Sequence, residues 1–177
     1  MVIVIINPAS GPGSRSLAAR GHARAGIASR ALVELGVPHR IGITERPGHG
    51  AEIARKAIDE GASLVCGWGG DGTVNEIAAV LAQSPVSLGI IPGGSGNGLA
   101  RELGISLQPA RAIQQMVMGT DRWLDMGEIG GRLFVNVAGL GFDAHVARCF
   151  NERGKRRGFW AYITTSFQQL LKYGNIY

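Results

Sequence analysis

Ala62-Ser63-Leu64-Val65-Cys66-Gly67-Trp68-Gly69-Gly70-Asp71-Gly72-Thr73-Val74-Asn75-Glu76 is the stretch around which the rest of the chain is read. Leu64-Val65-Cys66 is a short apolar run of the kind that forms a buried strand. The chain then passes through Gly67, Gly69, Gly70, Asp71 and Gly72, and leaves in a helical pattern with Val74, Ile77, Ala78 and Leu81 on one face. Thr73 and Glu76 stand three apart, the spacing of a capping box for the first amides of that helix. A glycine-rich turn between a strand and a helix N-terminus gathers backbone N–H groups, and the helix dipole adds partial positive charge. Phosphate fits such a turn. Asp71 does not, because a carboxylate repels phosphate unless a divalent cation lies between them.

One turn of this kind is most simply a tight connection in which Asp71 caps the helix. A second glycine-rich element, Pro92-Gly93-Gly94-Ser95-Gly96-Asn97-Gly98, follows the next apolar run and again leads into helix-forming residues. Two such loops on consecutive strands of a parallel sheet lie side by side at its carboxyl edge, where ligands bind in this architecture. The pair therefore favours a phosphate site.

The 177 residues suit one domain, or one domain and part of another. A hydrophobic share of 45% with 18% charged residues is ordinary for a globular protein with a real core. The 28 glycines sit at element ends rather than in repeats, and the formal charge of +5 is compatible with anionic ligands or acidic lipid. Cys66 and Cys149 are too few and too isolated for a disulfide framework or a zinc site, which points to a reducing, cytoplasmic setting. Met1–Ile6 reads as a first strand rather than a signal peptide, and no run reaches membrane-spanning length. The expectation is a protein at most peripheral to a membrane.

In order, Val2–Ile6 predicts a buried parallel strand, followed by the turn-rich Asn7-Pro8-Ala9-Ser10-Gly11 and a helix from Ser16 to Leu35. Arg15, Arg20, Arg24 and Arg30 on that helix read as a solvated basic face. His39–Thr44 is a second strand, Gly50–Glu60 a second helix, Val86–Ile91 a further strand, Ser95–Leu103 a short helix or turn, and Pro109–Met118 another helix. This alternation predicts an α/β fold with a parallel sheet. After Gly119 the period changes. Arg122–Ile129 and Arg132–Ala138 predict two strands joined by Gly130-Gly131, a hairpin signal. Gly139–Ala144, the basic Arg153–Arg157 and an amphipathic helix from Phe159 to Lys172 follow. We expect a nucleotide-binding parallel-sheet domain over 1–121 and the incomplete start of a β-rich second domain over 122–177, cut short after two strands.

Other motifs lead nowhere. Gly67–Gly72 fits G-x-G-x-x-G, and Gly139–Ala144 its alanine variant, but no acidic residue follows at the distance a dinucleotide ribose needs. No glycine run closes in Gly-Lys-Ser/Thr, no serine is framed as G-x-S-x-G, and His22, His39, His49 and His145 have no metal spacing. Arg153–Arg157 beside Phe159, Trp160 and Tyr162 could touch anionic lipid, but reads rather as a solvated loop before a core helix.

Asn7–Gly11, Gly69–Thr73 and Pro92–Asn97, in this order and on these elements, resemble the diacylglycerol kinase catalytic domain family. That family includes bacterial lipid kinases and the sphingosine and ceramide kinases, and shares its fold with NAD kinases. Asp125-Met126-Gly127, Phe134-Val135-Asn136 and Gly139–Ala144 look like the start of its second domain. The resemblance implies phosphoryl transfer from ATP, with Mg2+, to a lipid hydroxyl at a membrane surface, with no nucleic acid partner and a homodimer left open. It implies that Asn7, Ser10, Gly11 and Thr44 contact nucleotide. Gly69, Gly70, Asp71, Gly72 and Thr73 would wrap the triphosphate, with Asp71 acting through the metal and Glu76 supporting the loop. Gly93, Ser95 and Asn97 fall where the second loop meets nucleotide and acceptor, and Asp125 matches an acidic position near the acceptor headgroup. The metal ligands themselves are left unassigned.

Two departures bear on this. Many diacylglycerol kinases carry Asp where this chain has Gly98, and a small residue there is more like the sphingosine and ceramide kinases. The family's general base lies in its later β-sandwich, after residue 177 in this numbering. The reading is therefore a lipid kinase portion, acting on a diacylglycerol or a sphingoid base and inactive or weak alone. An NAD kinase-like enzyme and a non-catalytic nucleotide- or lipid-binding module are the alternatives.

Overall fold

A computed structural model of the chain describes residues 1–11 and 16–136. The chain divides into two compact units, Met1–Asn136 and Val137–Tyr177. Gly139–Ala144, Cys149, Arg153–Arg157 and the Phe159–Lys172 helix lie outside the described residues. The expected domain boundary near residue 121 falls inside the first unit.

That unit is a sheet of four parallel strands in the order β2-β1-β3-β4, formed by β1 (Val2–Ile6), β2 (His39–Ile43), β3 (Leu64–Gly69) and β4 (Ser87–Pro92). All five residues of β1 are buried, as a central strand covered on both faces demands. Its alternating side chains build two cores. Val2, Val4 and Ile6, with Cys66, Trp68 and Ile91, pack on Ala28, Ala31 and Leu32 of α1 (Leu17–Glu34) and on Ala112 and Ile113 of α5 (Pro109–Met118). Ile3, Ile5 and Val65 pack on Ala54 and Ala57 of α2 (His49–Asp59) and on Ile77 and Leu81 of α3 (Asp71–Leu81). The result is helix, sheet and helix in three layers. At the outer edge of β4, the Met116 sulfur of α5 accepts the Ile90 N–H at 3.2 Å.

The elements follow the sequence reading to within a few residues, and the departures have causes. β3 runs three residues past its apolar core because Gly67, Trp68 and Gly69 stay in register with Ile90, Ile91 and Pro92. α1 is unbroken despite its glycines. Gly21 lets it sit against β2, since a Cβ there would meet Ile43 Cγ2 at 3.1 Å. The short helix or turn expected after β4 divides into a loop and a single short helix, α4 (Gly98–Glu102).

The strand expected over Arg122–Ile129 shrinks to β5 (Gly127–Ile129), paired antiparallel with β6 (Arg132–Phe134). Gly130 and Gly131 join them with φ of 57° and 74°, the two positive angles of a type I′ turn. Asn75 of α3 clasps this hairpin: its Nδ2 donates to Leu133 O at 3.3 Å and its Oδ1 accepts Val135 N–H at 2.9 Å. Among the described residues no helix is long and apolar enough to cross a membrane.

Burial pushes the Cys66 thiol from its ordinary 9.0 up to about 12. In the unfolded chain the thiol ionises near its ordinary value, so above pH 9 unfolding releases a proton that the native state holds. Its contribution to stability is whole below pH 9 and is lost as pH rises from 9 toward 12. In a Cys149→Ala background, Ellman's reagent at pH 8 should label Cys66 only after denaturant is added. Prompt labelling of the native protein would show that the buried thiol is accessible after all.

Candidate functional site

From β1 the chain steps outward to β2, then crosses back over β1 to reach β3 and β4. The reversal leaves a crevice between the carboxyl ends of β1 and β3, the place where open parallel sheets bind ligands. The ladder continues beyond the strands and roots each loop there. Thr44 N–H donates to Ile6 O at 2.8 Å, Asn7 N–H to Trp68 O at 2.9 Å, and Gly93 N–H to Gly69 O at 2.7 Å.

Backbone then packs directly on backbone. A Cβ on Gly94 would lie 2.5 Å from Gly70 Cα, so the two glycine-rich loops touch where neither has a side chain. Gly11, at a φ of +78°, is pressed against Gly93 O. Asn97 adopts the left-handed conformation (φ 54°) and is buried. Its Oδ1 accepts Gly94 N–H and its Nδ2 donates to Gly94 O, both at 2.9 Å, closing the loop on itself. Ser95 stands exposed at the tip of that loop.

The expected capping box does not form. The helix starts at Asp71 after Gly70, and no side chain caps it. Thr73 is drawn to the neighbouring strand, its Oγ1 accepting from Asn7 Nδ2 at 2.9 Å. Glu76 serves a different helix: its Oε1 accepts Ala51 N–H at 2.9 Å in the first turn of α2. Asp71 does not cap its own helix either. Its Oδ1 accepts Gly98 N–H at 2.6 Å, and a Cβ on Gly96 would meet its Oδ2 at 2.9 Å, so the exposed carboxylate reaches across into the second loop. The Thr73 and Val74 N–H groups donate to Gly70 O at 2.9 and 3.1 Å, which leaves the Asp71 and Gly72 amides as the donors at the start of α3, beside this carboxylate.

The first loop is held from below by residues the sequence reading set aside. Arg24 is not on a solvated face. Its Nη1 donates to Asn7 O at 2.7 Å and to Ser10 Oγ at 2.8 Å, and its Nη2 to Ser10 O at 3.0 Å and Gly93 O at 3.4 Å. The guanidinium lies over Trp68, 5.6 Å from the ring centroid. Burial lowers its pKa, and the neighbouring charge of Arg20 lowers it further. Arg20 donates to Pro8 O at 3.0 Å and Gly11 O at 3.3 Å. A signal existed: Arg20 and Arg24 fall at four-residue steps before Ala28 and Leu32, on the stripe that faces the sheet.

Asn7, Ser10, Gly11, Thr44, Gly69 to Thr73, Gly93 and Asn97 thus come together at one edge of the sheet. Asp125 lies exposed in the segment between α5 and β5, and no hydrogen bond or ion pair among the described residues ties it to the loops. Nor does any group of three or more His, Cys, Asp or Glu converge on a metal position among the described residues. An open cavity of about 660 Å3 between α2 and α3, lined by Ala51, Arg55, Asp59 and Glu76 among others, includes none of the loop glycines.

This geometry has known counterparts. The model of the diacylglycerol kinase catalytic domain matches residues 1–129, so the chain belongs to the diacylglycerol kinase catalytic domain family. It is 36% identical over 145 residues to a Pseudomonas aeruginosa protein named "probable lipid kinase YegS-like", spanning 80% of this chain and 47% of the relative. A Chromohalobacter salexigens protein of the same name is 38% identical over 108 residues, 59% of this chain and 35% of the relative. The chain thus spans about half the length, or less, of these relatives. The crystal structure of a diacylglycerol kinase from Bacillus anthracis superposes with a TM-score of 0.65 at 28% identity, covering 76% of this chain and 49% of that one.

The contact between the glycine loops separates two neighbouring substitutions. Gly94→Ala forces a Cβ onto the Gly70 backbone and should cost about 1–3 kcal/mol in denaturant unfolding, as overpacking does. Gly72→Ala meets nothing within 4 Å and should stabilise by about 0.4–1 kcal/mol. Equal effects from the two would mean that the loops do not touch.

Proposed function

We propose that this chain is the nucleotide-binding portion of a lipid kinase that transfers the γ-phosphate of ATP, with Mg2+, to a lipid hydroxyl. The observation that carries the reading is the pair of glycine loops in backbone contact at Gly70 and Gly94, with the Asp71 carboxylate set between them. Phosphoryl transfer depends on backbone donors, a cation and alignment more than on covalent chemistry, and this edge offers donors and alignment.

The residues present fit a magnesium nucleotide. Mg2+ is usually held by one or two carboxylates, with phosphates and water supplying the rest, so a lone exposed Asp71 beside free helix-start amides is a sufficient protein share. When bound, the ion neutralises charge on the phosphates. In this reading Asn7, Ser10, Gly11 and Thr44 bind nucleotide, and Gly69, Gly70, Gly72 and Thr73 shape the cradle. Glu76 holds the start of α2 against it. Gly93, Ser95 and Asn97 form the opposite wall, next to the acceptor, and Asp125 contributes toward the acceptor headgroup from outside the loop cluster.

The acceptor is a diacylglycerol or a sphingoid base met at a membrane surface. We place the nucleotide-binding domain at 1–121 and the start of a β-rich second domain after it. An NAD kinase-like enzyme uses the same fold, but Ser95-Gly96-Asn97 and Phe134-Val135-Asn136 favour the lipid branch.

Titration calorimetry with ATP and with NAD, each with and without Mg2+, tests this directly. We expect magnesium-dependent ATP binding that falls at least tenfold, about 1.4 kcal/mol, in Asp71→Ala. NAD binding indifferent to Asp71 and to magnesium would sink the kinase reading.

A further inference from the structure

Arg24 makes four hydrogen bonds, and three of them end on backbone carbonyls: Asn7, Ser10 and Gly93. The fourth ends on the Ser10 hydroxyl. One side chain therefore spans the loop after β1 and the loop after β4, crossing beneath the end of β3 that lies between them. The ion pairs among the described residues join Arg40 to Glu60, Arg46 to Glu52 and Lys56 to Glu60; none takes up Arg24. Its charge meets carbonyl dipoles, one hydroxyl and the Trp68 ring rather than a carboxylate.

The planar peptide gives those bonds a consequence. In a trans peptide the C=O and the following N–H point in opposite directions, and no described peptide is cis. Fixing the Ser10 carbonyl on Arg24 therefore turns the Gly11 N–H away from the guanidinium. The carbonyl of Asn7 precedes Pro8, which has no N–H, and the Gly94 N–H behind the Gly93 carbonyl already serves Asn97. Gly11 is left as the donor that the arginine aims. Its φ of +78° and its approach to Gly93 O exclude a side chain there, so an anion can come close to the amide.

We propose that Arg24 is a positioning residue, a fork that locks the loops 7–11 and 93–97 together, turns their carbonyls inward and presents the Gly11 amide to a phosphate group. This rests on the phosphate-binding reading above. Lysine cannot do this work, because a single ammonium supplies charge without the planar fork that reaches both loops at once.

The test compares Arg24→Lys and Arg24→Met with the wild type in the full-length protein. Inorganic triphosphate and magnesium ATP serve as probes, at a temperature where circular dichroism shows all three folded. Amide spectra follow Gly11. We expect both variants to bind each probe at least tenfold more weakly, with Lys no better than Met. The triphosphate-induced shift of the Gly11 amide should be present in the wild type and absent from both variants. Wild-type affinity in Arg24→Lys, with loss only in Arg24→Met, would reduce the role to charge and overturn the proposal. So would a Gly11 shift unchanged by either substitution. A wild type that binds neither probe would instead overturn the phosphate-binding reading itself, and this proposal with it.

Discussion

The site depends on a close approach that only glycine permits. Gly70 and Gly94 meet backbone to backbone, and a single methyl group on Gly94 would stand 2.5 Å from a main-chain carbon. Parallel strands about 4.8 Å apart deliver their following loops at nearly that spacing. If those loops are to share one ligand, nothing can stand between them. The ladder bond from Gly93 N–H to Gly69 O carries the strand spacing into the loops, and Asn97 then folds the second loop back on itself through Gly94. The sheet sets the distance, and the glycines allow the loops to use it.

Charge at this edge serves backbone geometry first. Arg24 binds carbonyls from one side, while the carboxylate of Asp71 accepts an amide of the second loop and that of Glu76 an amide at the start of α2. In each case an ionised group meets a backbone dipole, an interaction stronger than a neutral hydrogen bond. The same groups leave a carboxylate exposed among amides, with a cation behind them. In the proposed reading, this is the edge that meets an anionic ligand carrying a metal ion.

The α/β alternation, the parallel sheet and the two glycine loops were legible in the sequence, because each rests on a local signal. A run such as Val2–Ile6 has to be buried on both sides, and clustered glycines between a strand and a helix have few other uses. What was hidden depends on partners distant in the chain. Thr73 and Glu76 have the spacing of a local cap, yet Asn7, 66 residues away, and Ala51, 25 residues away, compete better for them. Arg24 looked like one of several surface arginines until the packing of α1 on the sheet set it beneath the loops. The hairpin was foreseen, but not its clasp by Asn75, since nothing in local sequence ties a helix asparagine to carbonyl and amide groups 58 and 60 residues later.

These tasks divide into holding an anionic ligand and completing a reaction on it. Holding a polyphosphate requires convergent amides, a counter-charge and a rigid frame, all of which come from the ends of adjacent parallel strands. Accepting a proton from a lipid hydroxyl requires a base that is not already engaged. Asp71 and Glu76 are engaged with backbone amides of Gly98 and Ala51, and Asp125 stands apart from the loops. Among the described residues, then, the carboxylates at this edge are occupied with shaping it. A fold that commits its acids to architecture has to take any general base from outside that architecture.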